Sequence, residues 1–411
     1  MADIRAFRGI RPRWDLANVI AALPYDVYNR EEATKVVADN PMSFLSIDRA
    51  ETAFGPETDT YADEVYKKAH DLLWERVEKG DFVKDDKPCL YLYELEMKGH
   101  VQTGIVACAS IDDYLNDVIK KHENTRADKE RDRIRHVDTC GAQTGPIFLA
   151  YKENKKITDI INKIKVGKKP INNFTSDDGV RHTVTVIDDD ATIKEITDLF
   201  RDTKYLYIAD GHHRAASAVK AGLMRREANG GKAGEYDYFL SVLFADTQLS
   251  IMDYNRIVHD LNGNSPEAFL KKVRDIADVA EIATKVLKPA KRGECTMYLG
   301  HKWYRLVFKE KYLTDDPVEG MDVSILQNNI LAPILDIDDP KTNERIEFVG
   351  GIRGLDFLEK HTDDFDSGVA FAMYPVSMKE LFDVADAGLL MPPKSTWFEP
   401  KLRSGLFIHE I

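Results

Sequence analysis

The chain of 411 residues has few cysteines, no long apolar run and no excess of basic charge. Its four cysteines are widely spaced, which excludes a disulfide-stabilised scaffold and a zinc ribbon. No uncharged run exceeds 13 residues, which is well short of the roughly 20 residues that a membrane helix needs. Charged residues are spread through the first 20 positions and leave no room for the apolar core of a signal peptide. We therefore expect a soluble cytoplasmic protein that does not enter a membrane.

The charge balance argues against nucleic acid as a partner. The chain has 70 acidic and 57 basic side chains and a formal net charge of −13, whereas binding a phosphate backbone needs a basic face. A small phosphorylated ligand held by a few local donors is compatible with this balance. The hydrophobic content of 43% can form a core, and the length exceeds what one core usually serves. We expect two or three packed domains.

Helical and strand-like patterns alternate along the chain, which predicts a mixed α/β (α+β) fold. Asn29 is a candidate cap for a helix over 30–38, and apolar residues recur at helical spacing over 59–79. Residues 90–97 and 101–110 form a predicted hairpin. Further along, the patterns predict a helix that carries Tyr114, Leu115, Val118 and Ile119, strands over 147–151, 205–209, 236–245 and 368–374, and helices over 126–136, 266–279, 322–331 and 378–387.

Turn-rich stretches at 229–231 and 253–266 are candidate boundaries between packed regions. We divide the chain into an N-terminal α/β segment with the hairpin, a central core and a C-terminal α/β segment. These segments cover residues 1–110, 111–230 and 231–411.

The most informative segment is a short apolar strand that ends in Asp210 and Gly211 and leads at once into a helix. The first N–H groups of a helix lack intrahelical acceptors, so a glycine turn before them forms an anion site. Arg214 adds a forked cation within the first turn, and His212 and His213 add donors or acid–base groups. Helix capping alone would explain the Asp-Gly pair but not the cluster that follows. The pattern predicts a phosphate site.

His122, Glu123 and Thr125 form the second candidate constellation. A carboxylate beside a histidine can act as a general base or bind a metal when it lies in a cleft. The alternative is a polar loop in which Thr125 caps the charged helix that follows. The strand after Gly145 favours the functional interpretation, because it returns the chain towards the sheet that carries Asp210.

A metal could also be held by His122, Asp210, His212 and His213. Adjacent residues at a helix start point about 100° apart, so we do not expect a dedicated zinc site. Magnesium that is held partly by a nucleotide, with Asp210 as its protein ligand, fits these residues better.

The C-terminal run over residues 391–406 is dense in prolines, aromatics and cations. A nucleotide carries more negative charge than Arg214 and one helix end can balance. We therefore expect this run to close one wall of the cleft that contains Gly211. The residues predicted to line that wall are Lys394, Ser395, Thr396, Lys401 and Arg403. The alternative is a surface loop that is pinned by its aromatic side chains.

Together these features resemble the domain-of-unknown-function family 1015 (DUF1015) over essentially the whole chain. The residues that carry the resemblance are Pro24-Tyr25-Asp26-Val27, His122-Glu123-x-Thr125, Ala209 to Arg214, Asn255-Arg256 and the run from Met391 to Leu406. Judged by itself, the Asn255-Arg256 pair is interpreted as a solvated turn. The family name declares no activity.

The segment from Gly211 to Arg214 is also similar to the G-x-x-R phosphate motif of the ParB/sulfiredoxin-like fold. That fold includes free serine kinases, sulfiredoxins and partition proteins. The resemblance implies a ParB/sulfiredoxin-like core over 111–230, with Gly211 and Arg214 on nucleotide phosphates. The serine kinases use a glutamate as base, for which Glu123 is the candidate here. Sulfiredoxins need a cysteine where this chain has histidine, and DNA-binding helices of partition proteins are not apparent.

We therefore predict a phosphotransferase that uses ATP or ADP with Mg²⁺ and acts on a small hydroxylated metabolite, with free serine as one candidate. The predicted roles are phosphate binding by Gly211 and Arg214, capping or magnesium binding by Asp210, stabilisation of the transferred group by His212 or His213, and proton acceptance by Glu123 beside His122. The alternatives are a regulatory nucleotide-binding protein without turnover and a hydrolase that releases phosphate. The sequence leaves the acceptor, the nucleotide and the oligomeric state open.

Overall fold

The computed structural model describes residues 1–283 and 286–411, and it confirms the mixed α/β class. In this part of the chain the strands are β1 Ile4–Arg5, β2 Ile10–Pro12, β3 Phe82–Lys84, β4 Leu90–Met97, β5 His100–Ser110, β6 Ile119–Lys120, β7 Ala142–Gln143, β8 Ile147–Tyr151, β9 Asn172–Thr175, β10 Arg181–Ile187, β11 Leu206–Asp210, β12 Tyr238–Ala245, β13 Ile251–Met252, β14 Tyr254–Val258, β15 Ala277–Glu281, β16 Glu294–Leu299, β17 Lys302–Phe308, β18 Ile346–Gly350, β19 Val369–Met373, β20 Trp397–Phe398 and β21 His409–Glu410.

The helices of the same residues are α1 Ala17–Ile20, α2 Arg30–Asp39, α3 Leu45–Asp48, α4 Asp63–Glu78, α5 Ile111–Leu115, α6 Ala127–Cys140, α7 Lys155–Gly167, α8 Asp190–Arg201, α9 His212–Ala228, α10 Pro266–Ile276, α11 Asp322–Leu326, α12 Ala332–Leu335, α13 Leu355–Thr362 and α14 Met378–Asp386. A π-helical turn, Gln327–Leu331, joins α11 to α12. None of the helices in these ranges combines the length and the apolar run that crossing a bilayer would take.

The chain forms two units, one of Met1–Leu249 with Pro400–Ile411 and the other of Ser250–Glu399. The division differs from the predicted boundaries after residues 110 and 230. The reason is the pairing of β5 with β12 and of β8 with both β11 and β12, which joins all three predicted segments in one sheet. Contacts that are distant in sequence therefore decide the units, and turn composition does not reveal them.

In the described part of the first unit, nine strands form one sheet. Its order is β6-β11-β8-β12-β5-β4-β10-β9, with β1 paired to β5. Strand β11 runs parallel to β6, β12 runs parallel to β8, and the other neighbours are antiparallel. Helices α7, α8 and α9 bury apolar side chains such as Ile161, Phe200 and Val219 against one face of this sheet.

Several local predictions are confirmed. Asn29 caps α2, because its side chain accepts from the Glu32 N–H while the Glu32 side chain accepts from the Asn29 N–H. The hairpin forms from β4 and β5. The strand before Gly211 and the helix after it are β11 and α9. These features depend on local caps, turns and apolar runs, which a sequence displays directly.

Other local predictions are wrong. The helix predicted through Val118 and Ile119 ends at Leu115, because Asp117 has a φ of 54° and Ile119 starts β6. The helix predicted over 266–279 ends at Ile276, where the chain enters β15 and pairs with β17. Strand pairing at a distance overrides the helical pattern in both places.

The second unit is built around a sheet with the order β15-β17-β16-β19-β14-β18. Helix α13 packs Leu358 with Ile257, Ala370 and Trp303 in its core. Asn255 and Arg256 lie on β14 and are almost completely buried. Their interpretation as a solvated turn is therefore wrong. Backbone pairing to β18 and β19 holds this polar pair inside the sheet.

Candidate functional site

The two predicted constellations meet at one edge of the large sheet. Strands β6 and β11 are parallel neighbours, with Leu206 opposite Ile119 and Tyr207 opposite Lys120. Parallel neighbours end at the same edge. His122 and Glu123 follow β6, while Asp210 ends β11, so the topology brings the segments together. The start of β8 also lies there, because Phe148 pairs with Asp210.

Gly211 turns the chain from β11 into α9. Its φ of 93° lies in the left-handed region, which glycine adopts at little cost. The first intrahelical bond runs from the Ala215 N–H to the Gly211 oxygen over 2.9 Å, and no side chain caps this end within the described residues. The N–H groups of the first turn and the helix dipole are thus directed at a potential anion.

Arg214 lies over this turn. A Cβ built on Gly211 would come within 3.0 Å of the Arg214 Nε. The guanidinium donates from Nη1 to the Pro146 oxygen over 2.9 Å, and Nη2 is 3.6 Å from the Asp210 Oδ2. Its buried Nε has no acceptor among the described residues. Burial opposes ionisation, but Asp210 and then Asp26 raise the pKa of Arg214, which stays a cation with an unused donor.

Asp210 is surrounded by donors. Its Oδ1 accepts from the Gly211 N–H over 3.0 Å, and its Oδ2 is 3.3 Å from the Lys401 Nζ. Although burial acts in the other direction, Lys401 and Arg214 hold the pKa of Asp210 well below its usual range. Asp210 is therefore an anion that orients two cations.

The C-terminal run contributes to this edge through Lys401. Arg403 instead bonds Ser176 and Asp178, near β9 and β10, and its Nε is 3.3 Å from the His182 Nε2. Lys394, Ser395 and Thr396 belong to the second unit, where the Ser395 hydroxyl donates to the Pro392 oxygen over 2.6 Å. A role for these three residues in nucleotide binding stays a prediction.

His122 and His212 form a buried pair with ring centroids 4.4 Å apart and nearly perpendicular rings. Burial lowers the pKa of His122 to about 4 and lowers the pKa of His212 well below 6.5. Both imidazoles are therefore neutral at pH 7. The His122 backbone N–H is directed at the His212 Nε2 over 3.5 Å, which favours the tautomer of His212 that has its proton on Nδ1.

Glu123 is next to this proton, with its Oε2 3.7 Å from the His212 Nδ1. Its side chain is 49% exposed, so it can reach a ligand from the solvent side. His213 accepts from the Arg126 N–H at Nε2 over 3.0 Å, which leaves its Nδ1 as a donor. Burial lowers the pKa of His213.

The alternative interpretation, in which Thr125 caps the following helix, is wrong. Arg126 occupies the cap position, and the Thr125 hydroxyl donates to the Glu130 Oε2 over 2.9 Å. Glu130 also pairs with Lys220 on α9. The polar contacts of Thr125 thus connect the loop after β6 to α6 and α9.

Sequence reasoning did not assign a role to Tyr25, Asp48 and Arg133, although they line a small cavity that reaches Arg214. Arg133 stacks on the Tyr25 ring at 4.1 Å, and the Thr144 hydroxyl donates to the Asp48 Oδ1 over 2.8 Å. Tyr25 belongs to a segment that carried the family resemblance, which was the available signal. Asp48 and Arg133 gave none, because they reach the site through tertiary packing.

The groups around the Asp210 carboxylate do not fit a magnesium ion there. One carboxylate oxygen of Asp210 accepts a backbone N–H, and the other faces Lys401 and Arg214. No group of three or more histidine, cysteine, aspartate or glutamate side chains suited to a metal occurs within residues 1–283 and 286–411.

The family model described as "Protein of unknown function (DUF1015)" matches residues 4–324. No curated protein matches the chain. Solved structures that resemble it include a C-terminally truncated SbnI from Staphylococcus aureus, with 13% identity and a TM-score of 0.37, covering 72% of this chain and 82% of SbnI. A free serine kinase in complex with AMP has 13% identity and a TM-score of 0.33, covering 74% and 91%. A mutant of free serine kinase in complex with ADP has 14% identity and a TM-score of 0.34, covering 74% and 92%.

Proposed function

We propose that this chain, which belongs to the DUF1015 family, is a nucleotide-dependent phosphotransferase acting on a small hydroxylated metabolite. The observation that carries the proposal is the guanidinium of Arg214. It is buried over the N-terminus of α9 with an Nε that has no acceptor in the described residues. Leaving a buried charged donor unpaired is costly, and a phosphate oxygen would supply the missing acceptor.

The nucleotide phosphates would lie on the first turn of α9. The N–H groups after Gly211 and the forked donors of Arg214 provide an anion site. Lys401 adds a second cation, held 3.3 Å from Asp210. The strand–glycine–helix element would then correspond to the phosphate motif of the ParB/sulfiredoxin-like fold. This arrangement would hold the phosphates of a nucleotide, with ATP and ADP as the candidate donors.

The transfer itself forms a bond between the acceptor oxygen and the terminal phosphorus. It breaks the bond from that phosphorus to the bridging oxygen, and the nucleotide leaves with one phosphate fewer. Glu123 would accept the proton of the acceptor hydroxyl. His212 would position that carboxylate when a ligand binds, because its Nδ1 is 3.7 Å from the Glu123 Oε2, just beyond hydrogen-bond distance. His213 would donate from Nδ1 to the transferred group.

The first experiment is incubation with radiolabelled ATP and ADP together with a pool of hydroxylated metabolites. Label on a metabolite supports the phosphotransferase. Release of inorganic phosphate alone would instead support a hydrolase that uses Glu123 or a histidine to activate water. Nucleotide-dependent stabilisation without any product would support the regulatory alternative.

A further inference from the structure

A larger cavity of about 280 Å³ lies in the first unit, next to the site of Arg214. Tyr25, Asp48, Arg133 and His136 line both this cavity and the smaller space of about 30 Å³ that reaches Arg214. The two spaces therefore share a wall of four side chains. We refer to the larger one as the Tyr25–Arg133 cavity. Its size suits a small metabolite better than a drug-sized ligand.

The two arginines of this cavity are already paired. Arg49 donates from Nε to the Glu51 Oε1 over 2.6 Å and from Nη1 to the backbone oxygens of Tyr25 and Tyr28. Arg133 donates from Nε to the Asp132 Oδ2 over 3.0 Å and stacks on Tyr25. The charge of each guanidinium is therefore already offset by a carboxylate.

Carboxylates outnumber cations among the lining residues. The lining holds Asp26, Asp48, Glu51 and Asp132 against Arg49, Lys129 and Arg133. Glu51 and Asp132 are taken up by Arg49 and Arg133, which leaves the carboxylates of Asp26 and Asp48 against Lys129 alone. Asp26 is exposed to solvent. Its charge adds to that of Asp210 in raising the pKa of Arg214. The cavity thus offers carboxylate oxygens of Asp26 and Asp48 to a ligand, and such oxygens select hydroxyl and ammonium groups.

We propose that the Tyr25–Arg133 cavity binds the phosphate acceptor, and that this acceptor is a small donor-rich molecule without net negative charge. Amino alcohols, hydroxylated amino acids and polyols belong to this class, whereas hydroxy acids do not. The inference rests on the proposed function, because phosphoryl transfer needs the acceptor hydroxyl next to the phosphates at Arg214. Neither Arg214 nor Glu123 lines this cavity, so the hydroxyl end of the acceptor would extend past the four shared side chains to meet them.

One test blocks the cavity without changing its core. Thr60 lines the cavity and is only partly buried, so Thr60→Trp fills the space from its rim. Thr58→Trp is the matched control nearby, since Thr58 is not among the lining residues. The probes are ethanolamine, L-serine, glycerol and glycerate. Ligand-detected NMR measures their binding to the nucleotide-free protein, and transfer assays with ATP and ADP measure KM.

We expect the three uncharged or cationic probes to include a ligand and glycerate to be excluded. Thr60→Trp should lower the affinity for that ligand by about tenfold or more, equivalent to about 1.4 kcal/mol. Thr58→Trp should bind it as the wild type does. Glycerate as the preferred probe, or equal binding in Thr60→Trp and the wild type, would overturn the proposal. Binding of none of the three donor-rich probes would overturn it as well.

A second pair of variants tests the charge. Asp26→Asn should weaken the binding of ethanolamine more than that of glycerol and should strengthen the binding of glycerate. Asp39 is an exposed aspartate at the end of α2, and Asp39→Asn should leave the binding of all three probes unchanged. Unchanged selectivity in Asp26→Asn contradicts the acceptor class. Failure of the proposed function has a different signature, namely no nucleotide-dependent stabilisation while the probes still bind the cavity.

Discussion

The guanidinium of Arg214 packs directly on the Cα of Gly211. A Cβ at position 211 would lie 3.0 Å from the Arg214 Nε and 3.2 Å from its Cζ. Position 211 thus needs glycine for two separate reasons, the positive φ of its backbone and the lack of room for a Cβ beside Arg214. Because the same guanidinium holds the unpaired Nε, the proposed anion site and the turn cannot be changed independently.

Gly211→Ala should therefore destabilise the protein by about 1–2 kcal/mol from backbone strain and should also displace Arg214. Gly80→Ala is the matched control, since Gly80 has a φ of 78° and nothing within 4 Å of a built Cβ. Urea unfolding measures the strain in both variants. Only Gly211→Ala should lose the thermal shift given by ATP or ADP, and retention of that shift would contradict the proposed contact.

Arg214→Ala should abolish stabilisation by nucleotides. A ligand at 100 times its Kd that binds only the native state adds about 2.7 kcal/mol, and the phosphates lose their forked donor without Arg214. Arg225→Ala serves as the control on the same helix, where Arg225 pairs with Asp138. The measurement is the thermal shift against nucleotide concentration. Equal shifts in the wild type and Arg214→Ala would rule out a phosphate site at this residue.

Glu123→Gln should leave nucleotide binding almost intact and should lower kcat. The substitution keeps the size of the side chain but removes a base, which typically contributes about 10²–10⁴-fold. Glu227→Gln, at the exposed end of α9, controls for the loss of one negative charge. Steady-state kinetics and nucleotide titration give the two quantities. Equal losses in binding and in kcat would make Glu123 a structural residue.

The family and the strand–glycine–helix turn could be predicted from the sequence because their signals are local. An apolar strand, a glycine and a helix with Arg214 stand next to one another, and the structure has them as β11 and α9. The meeting of His122 with His212 needed the parallel pair of β6 and β11. Strand β6 has only two residues, which is too short for a pattern of its own.

Residues that are distant in sequence account for what was missed. Tyr25 and Arg133 reach the site through packing between the N-terminal segment and α6. The run from Met391 to Leu406 was treated as one segment, but the boundary between the units falls after Glu399. Composition alone cannot show where a continuous, proline-rich segment passes from one unit to the other.

The second unit provides a pH prediction through Asp322, which is buried at the start of α11. Both its oxygens accept from the Gly293 N–H, at 2.8 and 3.1 Å. Burial, aided by the charge of Glu380, raises the pKa of Asp322 to about 7. A carboxyl whose pKa is higher in the folded state favours folding most when it is protonated. Its contribution is therefore complete below the unfolded pKa of 3.8 and is lost as pH rises through about 7.

Asp322→Asn keeps an acceptor for the Gly293 N–H but cannot ionise. Its stability relative to the wild type should rise with pH between about 4 and 7, by up to about 1.4 kcal/mol per pH unit, and should then level off. Calorimetric unfolding of the full chain across this range measures the difference. Asp315→Asn, an exposed aspartate in the preceding segment, should show no such slope. Parallel pH profiles for Asp322→Asn and the wild type would mean that Asp322 ionises in the folded chain as readily as in the unfolded one.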